Sequence, residues 1–147
     1  VNEIATALAE TPMNFEAHQF SRSRFYPVID SRFHYTQVGQ QLDELTKDVD
    51  LVLTTASTSS LEFLARGLCV GVICAIANQN QYYNSLGELG LAAQLGYRAF
   101  DNNWELEAQK IETLVSSSTL RRKLIAKAEG LFDFNGASRI VDAITNL

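Results

Sequence analysis

Long hydrophobic runs and cysteines are both scarce in this sequence. The longest apolar stretch, Leu68 to Ala77, has ten residues and contains a glycine. Because a membrane span needs about 20 apolar residues, we expect a buried core element and no membrane span. The two cysteines, Cys69 and Cys74, would face opposite sides of a sheet if they share a strand, so they cannot form a disulfide with each other. Reduced core thiols and the lack of a signal-peptide pattern predict a cytoplasmic protein.

Motifs that would identify several enzyme classes are also absent. The chain has no G-x-G-x-x-G fingerprint, no G-x-x-x-x-G-K-[ST] loop and no G-x-S-x-G elbow. These absences argue against a dinucleotide-dependent dehydrogenase, a P-loop enzyme and an elbow-type hydrolase. His18 and His34 have no cysteine or carboxylate at ligand spacing, so we expect no metal site. No motif indicates a cofactor.

The charge pattern argues against one further class of protein. The formal net charge is −5, from 12 basic and 17 acidic side chains, and no long run has a single sign. A nucleic-acid binder that relies on phosphate contacts needs the opposite balance, so we expect no nucleic-acid partner. Arg22, Arg24 and Arg32 form a local basic cluster, which is either a phosphate contact or an ordinary charged surface.

What is present predicts one α/β domain over residues 1–147. The chain is 46% hydrophobic and 20% charged, which is typical of a globular domain of this length. Continuous apolar runs, which indicate strands covered on both faces, lie at Leu51–Leu53 and Leu68–Ile76, and Leu91–Leu95 is a third short strand candidate. Helical spacing predicts helices between these strands, ending at Gly67 and Gly90. This alternation is typical of a three-layer Rossmann-like domain with a mostly parallel sheet.

Weaker patterns predict the elements at the two ends of the chain. Before the central strands we expect a helix over residues 1–10, short strands at Phe15–Phe20 and Phe33–Tyr35, and a helix from Val38 to Val49. From Asn102 onward the spacing predicts helices only, with a break at Ser116–Ser118 and a turn at Asn135-Gly136.

A hydroxyl-rich loop follows the first central strand, at a position where open α/β sheets bind ligands. This hydroxyl loop, Thr54 to Ser60, leads into a helix whose N-terminal N–H groups and dipole suit a phosphate or diphosphate. Its candidate residues are Ser57, Thr58 and Ser59. The alternative is a single hydroxyl that caps the helix. Glu62, in the first turn or so of that helix, would accept hydrogen bonds from a sugar diol or simply interact with the helix dipole.

An amide-rich loop follows the second central strand. This amide loop, Ala77 to Gln81, offers both donors and acceptors to a hydroxyl-rich ligand. Its candidate residues are Asn78 and Gln79. The alternative is a solvated helix start that has Asn78 as its N-cap.

Three segments of the sequence resemble one enzyme family. The segment D-L-V-L-T-T-A-S-T-S-S-L-E-F-L-A-R-G-L-C-V (Asp50–Val70) resembles the donor-binding segment of GT-B type glycosyltransferases. It is most similar to that of the nucleotide-sugar hydrolases and transferases of pseudaminic-acid and spore-coat polysaccharide synthesis. Ala77–Gly96 is similar to the family's N-Q…N…L…G-A…L-G stretch. The segment F-N-G-A-S-R-I-V-D-A-I (Phe134–Ile144) is similar to the family's D-G-x-G-A-x-R-I-V-x-x-L tail. The paired glycines of the family's loop are Ala56 and Ser57 here.

This resemblance implies the C-terminal, nucleotide-binding half of a two-domain GT-B enzyme that uses a UDP-sugar. The residues that match the family's diphosphate, ribose and donor-sugar contacts are, in that order, Ser57, Thr58 and Ser59, then Glu62, then Asn78 and Gln79. The family's catalytic histidine belongs to an N-terminal domain, and a first strand with a glycine-rich loop precedes the helix at residues 1–10. Neither is in this sequence. The chain alone would therefore have no catalytic residue, and its exposed neighbouring strand would favour a homodimer.

Two other interpretations stay open at this point. The chain is an interaction module that kept the fold and lost the ligand, or it is an enzyme completed by a partner subunit that supplies the missing domain. A ligand titration separates the first interpretation from nucleotide-sugar binding, and co-purification with a partner tests the second.

Overall fold

The computed structural model describes residues 2–21, 28–37, 42–99 and 103–146. Within them the elements in chain order are α1 (Asn2–Ala9), β1 (Ala17–Ser21), β2 (Phe33–Gln37), α2 (Leu42–Thr46), β3 (Val52–Thr55), α3 (Thr58–Ala65), β4 (Val70–Cys74), α4 (Asn80–Glu88), β5 (Ala93–Arg98), β6 (Trp104–Leu106), α5 (Ala108–Ser116), α6 (Ser118–Ala128) and α7 (Gly136–Thr145). A short 3₁₀ helix, Ala77–Gln79, precedes α4.

Four strands form the main sheet, in the order β3-β4-β5-β6. The first three are parallel and β6 is antiparallel to β5. Strands β1 and β2 pair in parallel in a separate sheet. The prediction of an α/β, Rossmann-like domain with a mostly parallel sheet is therefore confirmed.

Helices cover both faces of the main sheet, which gives the expected three layers. On one face, Val70, Val72 and Cys74 of β4 share a core with side chains of α3 and α4. On the other face, Ile73 shares a core with side chains of α1, α5, β1 and β2. The continuous apolar run of β4 is thus buried on both sides, as its sequence predicts.

The two cysteines lie in different cores. Cys69, just before β4, belongs to the core of α1 and α5, and Cys74 belongs to the core of α3 and α4. Both are buried, free thiols, so the prediction that they face opposite sides of the sheet is confirmed. Burial raises the pKa of the Cys69 thiol to about 11, and it also raises the pKa of Cys74.

This burial predicts slow thiol chemistry in the folded protein. Because the thiolate is the reactive form, iodoacetamide at about pH 8 should leave both cysteines of the native chain largely unmodified, whereas the chain in urea should gain two adducts. Mass spectrometry of a time course measures this difference. Rapid alkylation of the native chain, at the rate seen in urea, would contradict it.

Two boundaries in the second half of the chain differ from the prediction. Leu91 and Ala92, expected to begin a strand, are buried residues of the turn after α4, and their amides donate to the carbonyl of Leu86. The strand β5 starts only at Ala93 and continues to Arg98. The expectation of helices only from Asn102 is wrong at Trp104–Leu106, because these residues pair with β5 as β6.

The expected elements at the start of the chain are present in the described residues. A helix precedes Pro12, and short strands lie at Ala17–Ser21 and Phe33–Gln37. We expected a helix from Val38 to Val49, and the structure shows a helix over Leu42–Thr46. Residues 38–41 lie outside the described part of the chain.

Arg32 joins α1 to the β1–β2 sheet. Its guanidinium pairs with Asp30 at 2.6 Å and lies 4.3 Å from the centre of the Phe15 ring. It also donates to three main-chain carbonyls at and after the end of α1, those of Ala9, Thr11 and Met13. Both interpretations of this residue, a phosphate contact and an ordinary charged surface, are therefore wrong, because its donors hold the fold together. Arg22 and Arg24 lie outside the described residues.

Candidate functional site

The hydroxyl loop and the amide loop lie at the same edge of the main sheet. Strands β3 and β4 are parallel neighbours, with Thr55 beside Ile73, so their carboxyl ends meet there. The amide of Ala56 donates to the carbonyl of Ile73 at 2.8 Å, which ties the hydroxyl loop to β4. This register therefore brings the two polar loops, which the sequence analysis considered separately, to one edge of the sheet.

The two residues that replace the family's glycine pair fit the loop without strain. Ala56 is 1% exposed and packs in the core of α3 and α4. Ser57 has φ −139° and ψ 177°, which is extended backbone that any residue adopts. Its hydroxyl donates to the carbonyl of Thr55 at 3.4 Å and accepts from the Thr55 hydroxyl at 3.3 Å. Ser57 therefore bonds to its own loop instead of capping α3.

The amino end of α3 keeps open donors. Ser57 is the N-cap residue but makes no side-chain capping bond, so helix geometry leaves the amides of Thr58 and Ser59 without an acceptor inside the helix. Both of these residues are exposed. Ser60 differs, because it is fully buried and its hydroxyl donates to the carbonyl of Ser57 at 2.6 Å. Of the three serines in the hydroxyl loop, Ser57, Ser59 and Ser60, the last therefore has a structural role.

Glu62 lies one turn after these donors on the same helix. It follows Thr58 by four residues and Ser59 by three, so the three side chains share one side of α3. Glu62 is exposed, and its carboxylate has no hydrogen-bond or ion-pair partner in the part of the chain that the structure describes. The nearby guanidinium of Arg66 instead binds Asp43 at 2.6 Å and donates to the main-chain carbonyl of Glu62. The carboxylate is thus available to a ligand.

Two side chains of the amide loop already accept hydrogen bonds from neighbouring residues. The side-chain carbonyl of Gln79 accepts from the amide of Ala75 at 2.9 Å, and that of Asn80 accepts from the Cys74 thiol at 3.1 Å. Asn78 is exposed in the short 3₁₀ helix. Among the described residues, the side chain of Asn78 and the amide NH₂ group of Gln79 have no hydrogen-bond partner.

Tyr82 is a residue that the sequence analysis missed. It lies in the first turn of α4, directly after the amide loop, and its ring packs beside the core of α3 and α4. Its hydroxyl is enclosed and has no hydrogen-bond partner among the described residues, and burial raises its pKa. A tyrosine two residues into a helix gives no signal of this, because the burial of one atom depends on the neighbouring helix.

The histidines have a carboxylate neighbour that their sequence spacing did not indicate. His18 and His34 are register partners on β1 and β2, and their rings stack with centroids 5.1 Å apart. Glu16 Oε1 lies 3.1 Å from His18 Nε2 and 3.4 Å from His34 Nε2. A single carboxylate therefore lies beside both rings. No set of three His, Cys, Asp or Glu residues in the described ranges is arranged to hold a metal ion.

Comparisons with known proteins give no relative for this chain. No family model, no curated protein and no solved structure matches it. Among the helices of the described ranges, none has the length and apolar character needed to cross a bilayer.

Proposed function

We propose that this chain is the nucleotide-sugar-binding half of a GT-B type glycosyltransferase or UDP-sugar hydrolase of surface polysaccharide synthesis. One observation carries the proposal: parallel pairing of β3 and β4 brings the hydroxyl loop and the amide loop to one sheet edge. Ligands of open α/β sheets bind outside the carboxyl ends of the strands. The sequence resemblance of Asp50–Val70 to a donor-binding segment points to the same edge.

The diphosphate of the donor would bind at the amino end of α3. The amides of Thr58 and Ser59 have no acceptor inside the helix, and the positive end of the helix dipole favours an anion there. The hydroxyls of Ser57, Thr58 and Ser59 add short donors around that point. The inward packing of Ala56 keeps its methyl group out of the space that the family's glycine leaves open.

The ribose and the sugar would bind beside the diphosphate. An ionised carboxylate only accepts hydrogen bonds, so the exposed Glu62 suits the ribose hydroxyls better than a phosphate. Asn78 and the NH₂ group of Gln79 would meet hydroxyls of the donor sugar. None of these residues does bond chemistry. In the intact enzyme the reaction would be attack on the anomeric carbon of the UDP-sugar, with a second domain or a partner subunit supplying the other wall of the cleft.

A thermal-shift titration with UDP and UDP-GlcNAc tests this proposal. A ligand at 100 times its dissociation constant stabilises the folded state by about 2.7 kcal/mol, which raises Tm of a chain of this length by roughly 5–10 °C. We expect this shift for the unmodified chain. We expect Glu62→Ala to remove most of it, because the ribose hydroxyls lose their acceptor, and Ser59→Ala to reduce it.

Matched variants on α4 serve as controls for the titration. Glu88→Ala and Ser85→Ala change the same residue types at exposed helical positions, and Glu88 lies at the end of α4 remote from the amide loop. Both should keep the full shift. An unmodified chain that shows no shift up to millimolar UDP, or an equal loss in Glu62→Ala and Glu88→Ala, would overturn the proposal.

A protein-interaction module is the second candidate function, and one observation favours it. Helix α7 has no buried residue, and its apolar side chains Ile140, Val141 and Ile144 are 58–65% exposed. Exposed apolar patches on a folded protein commonly mark an interaction site. If UDP gives no shift, this helix is the surface on which to look for a protein partner.

A further inference from the structure

A cavity of about 330 Å³ lies at the end of β3 and β4 that is remote from the hydroxyl loop. One wall is formed by residues just before these two strands, Val49–Asp50 and Gly67–Cys69, and the other wall by α6. Because β3 and β4 are parallel, their amino ends meet here, and both loops of the candidate site lie at their carboxyl ends. The volume is at the lower end of the range of ligand pockets.

The wall formed by α6 is positively charged. Four residues of this helix line the cavity at spacings of three and four, so they share one side of the helix: Ser118, Arg121, Arg122 and Ile125. Helix α6 contains two lysines besides these arginines and no acidic residue, although the whole chain has a formal net charge of −5. The cavity is therefore a locally basic site in an acidic chain.

Arg121 is held in place by the end of α5. Its Nη1 atom donates to the main-chain carbonyl of Leu114 at 3.0 Å and to that of Val115, where the negative end of the helix dipole favours a cation. The Nε and Nη2 donors of Arg121 have no acceptor among the described residues. One side of the guanidinium is thus fixed by the fold, and the other donors are available to a ligand.

Arg122 and Asp50 line the same cavity without forming an ion pair. Both residues are exposed, and neither side chain has a hydrogen-bond or ion-pair partner in the ranges that the structure describes. An ionised carboxylate only accepts hydrogen bonds, and a guanidinium only donates them. A molecule with an anionic group at one end and a hydroxyl group at the other would satisfy both side chains at once.

We propose that this cavity binds a small phosphate ester, with its phosphate on Arg121 and Arg122 and its hydroxyl groups on Asp50. Guanidinium groups bind phosphate oxygens through two parallel hydrogen bonds, and two of them match the nearly two charges of a phosphate monoester at neutral pH. The Ser118 hydroxyl adds one more donor. The proposal does not depend on nucleotide binding at the hydroxyl loop, because the two sites lie at opposite ends of the strands.

An NMR titration with glycerol 3-phosphate tests this proposal. The buffer contains no phosphate, and its ionic strength is kept constant because salt screens exposed charges. We expect the amide signals of Leu68 and Ser118, which line the cavity, to shift with the added ester. The amide signals of Thr58 and Ser59 report separately on any binding at the amino end of α3.

Two variants on α6 show whether the cavity or the general charge of the helix binds the ester. Arg122→Gln should weaken binding about tenfold or more, because hydrogen bonds to a charged group are lost. Lys123→Gln is the matched control, since it removes the same charge from the neighbouring exposed residue, which does not line the cavity. It should change the affinity less than about twofold.

Asp50→Asn tests the recognition of the hydroxyl groups. This variant should bind inorganic phosphate more tightly, because a nearby negative charge is removed, and its preference for glycerol 3-phosphate over inorganic phosphate should fall. The proposal is wrong if the cavity amides do not shift with up to about 20 mM ester, or if Arg122→Gln and Lys123→Gln weaken binding equally. Acetate that binds as tightly as the ester would also overturn it, because the cavity would then accept any single negative charge.

Discussion

Replacing Gly96 by alanine is expected to destabilise the chain by about 3–5 kcal/mol. Gly96 has φ +136°, a backbone conformation that L-residues rarely adopt. A Cβ atom there would also lie 2.2 Å from the carbonyl oxygen of Glu105 and 2.9 Å from the Cα of Leu106. These are backbone atoms of β6 and cannot move aside as a flexible side chain would. Urea unfolding of the variant measures the loss.

Gly130→Ala separates the two causes of this effect. Gly130 also has positive φ, +79°, but in the described part of the chain no atom beyond its own chain neighbours lies within 4 Å of the place where its Cβ would be. Its replacement should therefore cost only the backbone preference, about 1–2 kcal/mol. Equal losses in the two variants would show that the close approach of β6 to Gly96 contributes nothing.

Gly96 also shows why β6 could not be predicted from sequence. The residues around Trp104 have spacing that suits a helix, and a three-residue strand has too few positions to show alternation. What makes them a strand is pairing with β5, and that pairing needs a glycine eight residues earlier. Strand β4 is the opposite case, because its continuous apolar run identifies it as a covered strand without knowledge of its neighbours.

The sequence predicts where the candidate site lies in the fold, but it does not predict the burial and hydrogen bonds of the individual side chains. The sequence places two polar loops after two buried strands, and parallel pairing then brings them together. It does not show that Ser60 is fully buried, that Gln79 accepts from the main chain of Ala75, or that the hydroxyl of Tyr82 is enclosed. Each of these depends on the position of a residue on a neighbouring element, which local periodicity does not encode.

Replacing Arg32 by lysine is expected to lower Tm by roughly 5–10 °C, although the charge is kept. The planar fork of arginine can serve several acceptors at once, and a lysine ammonium cannot reproduce that geometry. In this chain the fork holds Asp30 and three carbonyls that belong to or follow α1. We expect a loss of local as well as global stability, so amides of α1 and β1 should exchange with solvent faster in the variant.

Arg139→Lys is the matched control. Arg139 pairs with Asp133 at 2.5 Å, but both side chains are more than half exposed. Because exposed pairs add little stability, the Tm of this variant should change by less than about 2 °C.

Acid titration gives a second readout of the Arg32–Asp30 pair. The hydrogen bonds from Arg32 lower the pKa of Asp30 from 3.8 to about 2. Since the folded pKa lies below the unfolded one, the pair stabilises the fold above pH 3.8 and this stabilisation is lost as the pH falls toward 2. Tm of the unmodified chain should therefore fall more steeply over that interval than Tm of Arg32→Lys, and parallel curves would refute a stabilising role for this ion pair.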